Sequence, residues 1–157
     1  MTIAQNGAAG RAETELPVYT RAALGDGEAH SILADAQYRM AQDGSVPRVI
    51  ALGHATIFAR LASMSRGARN DWFSLIFLLE HYSAALREAG QDNLADTAQA
   101  EAVTYADYMA DDGDEEVGRM VAAAAETIPV RVMQIAKSFH DYTKGIADAD
   151  GAPQHAI

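Results

Sequence analysis

Apolar positions recur along this chain at steps of three and four residues, and glycines punctuate the repeats. That spacing is one face of an α-helix rather than the strict alternation of a strand. The first clear repeat, Ile32, Leu33, Ala36 and Met40, predicts a helix over 26–42, with Asp26 as its cap and Gly44 as its stop. A second helix is expected from Ser45 or Val46 to Arg66, with Pro47 in its first turn, where a missing N–H costs nothing. A third is expected over 71–89, between Asn70 or Asp71 and Gly90. Its stripe is Trp72, Leu75, Leu79, Tyr82 and Leu86, and Phe73, Ile76, Phe77 and Leu78 fill most of its other faces. A helix apolar nearly all round is expected to be the buried centre of its domain.

The fourth helix is placed at 92–110, on a stripe of Leu94, Ala98, Glu101, Tyr105 and Tyr108. The run DDGDEE breaks it, and Asp114 can cap a fifth helix. From Val117 to Tyr142 a single stripe continues through Val121, Ala124, Ile128, Val132, Ile135 and Phe139. Pro129 lies inside that stripe, so either one long helix kinks there or Thr127 caps a sixth helix with Pro129 in its first turn, and the unbroken stripe favours a kink or a tight joint over a loop. No alternating run and no hairpin turn between β-rich segments competes with this pattern. The short connections favour antiparallel neighbours. The expected fold is all-α: an up-and-down antiparallel bundle of four long helices, one extra N-terminal helix, and a last helix kinked near Pro129. Residues 1–24 read as a flexible arm, 25–146 as one bundle domain, and 147–157 as a flexible tail.

Composition adds little to the fold and more to its partners. The 157 residues suffice for one domain with a real core. They contain no cysteine, which removes disulfides, thiol catalysis and thiolate metal sites. No secretory leader and no stretch of about 20 apolar residues is legible, so a cytoplasmic protein without a membrane span is expected. The net charge of −10 is unevenly distributed. Residues 39–87 carry six arginines against Asp43, Asp71 and Glu80, whereas 88–126 carry eleven acids against Arg119 alone. This polarity argues against nucleic-acid binding, which needs a dense basic surface. It suits a partner with a basic surface, or a homodimer joining unlike faces. The acids expected to form such a face are Asp92, Asp96, Asp107, Asp111, Asp112, Asp114, Glu115 and Glu116.

Motifs with a specific chemistry are missing. The chain has no phosphate-binding loop, dinucleotide fingerprint, nucleophile elbow or HExxH. Neither acidic run places ligands where a calcium loop needs them, and no glutamate has a histidine three residues on, as di-iron bundles require. His140, Lys144 and Gly145 resemble the helix-borne histidine segment of phosphotransfer domains, but with the register one residue off. No cofactor is implied.

One polar layer does emerge from the short turns. Folding the second and third helices about residues 68–69 brings His54 level with Ser83, and folding the third and fourth about residue 91 brings His81 level with Glu101. At about 1.5 Å of rise per residue, His54, Glu80, His81 and Glu101 fall within two turns of one another along the axis. Carboxylates and imidazoles in such a layer could hold a metal or move protons. The same groups also suit a structural network, with Glu80 on Arg60 or His54 and Glu101 on a tyrosine or His81. His30 and His155 read as solvated residues. The function favoured by this reading is a non-catalytic protein-interaction module, such as an adaptor, accessory subunit or inhibitor. Alternatives are a metal-binding or catalytic bundle using the 54/80/81/101 layer, and a bundle that takes an apolar small molecule between its helices.

Overall fold

Aspartate and glycine set the helix boundaries, as local chemistry requires. In the computed structural model the backbone is described for residues 16–156 and the side chains for 16–145. Among the described residues seven helices follow one another: α1 (Val18–Ala23), α2 (Gly27–Asp43), α3 (Arg48–Ser65), α4 (Arg69–Glu88), α5 (Asp92–Asp111), α6 (Glu115–Ala124) and α7 (Val130–Ala156). The Asp26 carboxylate accepts from the backbone N–H of Glu28 at 3.0 Å, and Asp114 accepts from that of Val117 at 3.2 Å. Both satisfy amide groups that a first helical turn leaves open. At Gly90, φ is 76°; the Gln91 N–H reaches back to the Leu86 carbonyl at 2.8 Å and the Gly90 N–H to that of Arg87 at 3.0 Å. This is a Schellman ending, which needs a left-handed residue and so a glycine. No strand occurs among the described residues, and the all-helical expectation holds.

The helices form two compact units, one ending at Asp71 and one beginning at Trp72, so the boundary falls inside α4. In the first unit, α2 and α3 pair over most of their length. A Cβ on Gly27, at the start of α2, would lie 3.0 Å from the Cβ of Arg66, just past the end of α3, so the pair is antiparallel. Small side chains make that approach possible. Ala51, Ala55, Ala59 and Ala62 are buried on α3, and Ala29, Ala34 and Ala41 on α2. Two buried α3 hydroxyls stay satisfied within their own helix, Thr56 donating to Gly53 O at 2.8 Å and Ser63 to Ala59 O at 3.0 Å. The joint after α3 is closed by Asp71, which is buried: its carboxylate accepts from Arg66 Nε at 2.9 Å and from the Ala68 N–H at 3.1 Å.

In the second unit the hub is α5, which packs on α6 and on α7 and is bonded to α4. Ala100 and Val103 of α5 form a cluster with Val132 and Ala136 of α7, against which Ile128 and Ile135 pack. Ser83 of α4 donates to the Ala95 carbonyl at 2.8 Å. Asp96, also buried, joins three helices: Arg87 Nη2 of α4 lies 2.7 Å from one of its oxygens and Arg131 Nε of α7 lies 3.0 Å from the other.

Several expectations change here. The stripe assigned to 92–110 is displaced. Of that stripe Ala98 is buried as expected, but Leu94 is 56% exposed, while Ala95, Asp96 and Ala102, outside it, are buried. Alanine covers little area but lets backbones approach, so an alanine face wins the interior over a lone leucine. The stripe from Val117 to Tyr142 is carried by two helices, α6 and α7, joined through 125–129. Pro129 supplies no N–H and disfavours helical backbone at Ile128 before it, so a break relieves what a kink would strain. Beyond Ala136 the stripe leaves the core: Phe139 is exposed, and so is Tyr142. Part of the expected arm is helical, namely α1, and residues 1–15 lie outside the described residues. The backbone of 147–156 continues α7.

Candidate functional site

Three helices of the second unit turn one face each toward a common cleft. Its wall takes Phe73, Ile76, Phe77, Glu80 and His81 from α4, Gln99, Ala102, Val103 and Ala106 from α5, and Val117, Met120, Val121 and Ala124 from α6. On each helix these positions follow steps of three and four, so each presents a continuous face rather than scattered residues. Thr127 and Ile128, in the joint before α7, complete the wall. The cleft encloses about 340 Å³ and is half open. Most of the wall is hydrocarbon, and two of its large side chains, Phe77 and Met120, are exposed. The alanines of α5 and α6 account for the space: on those faces a methyl stands where a larger side chain would fill the gap.

Polar groups gather on part of this wall. Glu80 is exposed to solvent on one side, yet the hydrocarbon beside it pushes its carboxyl above the ordinary glutamate range; Arg87 acts in the opposite direction. His81 lies against Phe77, with ring centroids 4.3 Å apart and planes tilted by 52°. Arg87 bonds the Gln99 side-chain carbonyl at 2.8 Å while it pairs with Asp96, so its guanidinium is committed beside the cleft.

A second cavity, of about 670 Å³, lies between α5 and α7. Asp107, Asp111, Lys137 and His140 line it, and the His140 ring is 5.2 Å from that of Tyr108. Burial, and then the charge of Asp111, push the Asp107 carboxyl up, with His140 opposing them.

The four residues of the predicted polar layer have different fates. Glu80 and His81 share the first cleft. Glu101 accepts a hydrogen bond from the Tyr105 hydroxyl at 2.9 Å, a structural pairing within α5. His54 belongs to the first unit, where it is exposed on α3. Among the described residues no group of three or more His, Asp or Glu side chains is arranged to hold a metal ion.

The acidic face is also redistributed. Asp92, Asp111, Asp112, Glu115 and Glu116 are exposed. Asp114 is spent as the cap of α6, and Asp107 is half-buried. Asp96 does not belong to that face: it is buried, because two arginines from neighbouring helices neutralise it. His30 was expected to be solvated but is buried, and its Nδ1 has no hydrogen-bond partner. It sits one position beyond Ala29, on the alanine-bearing side of α2 rather than on the side that Ile32 and Met40 suggested. His155 lies outside the residues whose side chains are described.

Sequence reasoning passed over the cleft itself, because its walls read as core stripes. The usable signal was the excess of alanine on 99–106 and 121–124 opposite the aromatic face of α4. No helix among the described residues is long and apolar enough to cross a membrane. Compared with known proteins, the chain matches no family model, no curated protein and no solved structure.

Proposed function

We propose that the second unit binds an amphipathic small molecule, holding its apolar body in the cleft between α4, α5 and α6 and its polar end near Glu80. The observation that carries this reading is the cleft: a half-open apolar space of about 340 Å³ bordered by a few polar groups. Binding sites for small molecules are usually such concave, mostly apolar spaces of about 300–1,000 Å³ with few polar groups. The test is displacement of a solvatochromic dye such as Nile red by straight-chain alcohols. Octan-1-ol is expected to compete in the wild type but not in Ala124→Phe or Met120→Trp, which put a ring into the wall at positions that are not deeply buried. Equal competition in folded variants would remove the cleft as the site.

A second reading, a protein-interaction module, draws on a different observation. Ile50, Ile57, Leu61 and Met64 are exposed on α3, at the steps of seven, four and three that a helix seam uses. Together with the exposed acids Asp111, Asp112, Glu115 and Glu116, this suits either a second copy of the chain or a partner with a basic surface. The up-and-down order proposed for the long helices rests on the short joints at 66–68 and 89–91. Light scattering across a hundredfold concentration range tests the homodimer. A mass that rises with concentration and falls back in Ile57→Asp supports it, and a constant monomer mass excludes it.

A further inference from the structure

We infer that the ligand of this cleft carries a cationic head, a protonated amine on an aliphatic body, and that Glu80 is its counter-ion. The inference rests on the cleft reading above and adds the chemical class. Among the residues of the wall, Glu80 is the one acid, and the wall includes neither lysine nor arginine. An anionic amphiphile would therefore bring like charge against the one carboxylate of an otherwise apolar wall. A neutral one would cover the carboxylate and leave it uncompensated. A cation offsets both costs.

The groups around Glu80 strengthen this choice. Arg87 is the cation that acts on it, and that guanidinium already pairs with Asp96 at 2.7 Å and bonds Gln99 at 2.8 Å. From α4 the other titratable neighbour is His81; α5 contributes uncharged Gln99 to the wall, and α6 contributes apolar side chains alone. The wall also holds the rings of Phe73 and Phe77, whose faces favour an ammonium group over a carboxylate. The carboxyl is held above its ordinary range in the free protein, and a cation beside it pulls it back down, so binding at a pH close to that range is coupled to release of protons.

Calorimetric titration of the full chain at pH 7.5 and pH 5 with octylammonium chloride, octan-1-ol and sodium octanoate tests this. At pH 7.5 the ammonium salt is expected to bind at least tenfold more tightly than the alcohol, with octanoate weakest. Its advantage over the alcohol should shrink at pH 5. At that pH the observed heat should vary with the ionisation enthalpy of the buffer, reporting the expelled proton. Glu80→Gln should reduce the preference to within about twofold, weakening the ammonium salt and, with no carboxylate left to cover, tightening the alcohol slightly. If the alcohol binds and the ammonium salt binds no more tightly, the cationic head is refuted, and if Glu80→Gln keeps the preference, Glu80 as the counter-ion is refuted; in both cases the cleft reading stands. If none of the three compounds binds, the cleft reading falls as well.

Discussion

Replacing Asp96 by asparagine keeps its shape and removes its charge, and the structure allows the cost to be worked through. The side chain is 9% exposed, and each oxygen meets a different arginine, at 2.7 Å and 3.0 Å. Asparagine can still accept from one arginine, but it turns an N–H toward the other. A hydrogen bond to a charged group contributes about 1.5–3 kcal/mol when shielded from water. The two arms are not equally shielded, since Arg87 is 35% exposed and Arg131 63%. The Arg131 arm is therefore discounted to at most about 1 kcal/mol, as for surface pairs. Asp96→Asn should destabilise the protein by about 2–3 kcal/mol in total. Urea unfolding followed by circular dichroism measures this through a lowered midpoint at unchanged slope. Double-mutant cycles with Arg87→Ala and Arg131→Ala should give the larger coupling to Arg87, and added salt should weaken the Arg131 arm first. A loss below about 0.5 kcal/mol, or equal coupling to both arginines, would refute this account of the junction.

Two acids should respond to pH with opposite sign. Asp71 has its folded pKa lowered by Arg66 and the Ala68 N–H, so its contribution is present above the unfolded value near 3.8 and is lost as pH falls through the lower folded value. Glu80 has its pKa raised, so folding is favoured while it stays protonated, and that advantage is lost as pH rises from about 4.5 through the folded value. In urea titrations, Asp71→Asn should therefore cost more at pH 6 than at pH 3, and Glu80→Gln should stabilise at pH 7.5 but not at pH 3.5; a uniform offset at all pH values would contradict both. Enlarging the α3 interior should also be costly: Ala55→Leu, at a fully buried position, is expected to lose about 1–3 kcal/mol or more, against under about 0.5 kcal/mol for exposed Ile57→Leu. Similar thermal midpoints for these two variants would show that the alanine face has room to spare.

The helix ends were legible because their causes are local. Asp26, Gly44, Gly90 and Asp114 cap or stop helices through bonds to residues a few positions away. Facing was less legible, because it depends on what lies opposite. Leu94 lost the interior to Ala95 and Asp96, and Asp96 could enter only because Arg87 and Arg131, far from it in sequence, converge on it. The same limit applied to the polar layer. Matching levels along the axis relates heights but not directions, so Glu80 and His81 came to one cleft while Glu101 turned to Tyr105. The cleft escaped because empty space is a property of three helices at once, whereas periodicity is read one helix at a time.

The alanine faces carry a calorimetric consequence. An interior lined by methyl groups excludes less apolar area from water per residue than one built from leucine, while ordering an alanine costs no side-chain entropy. Heat capacity of unfolding follows the apolar area released. The free-energy curve of this protein against temperature should therefore be broad and shallow, with heat denaturation approached gradually and resistance to cold extending well below the temperature of greatest stability.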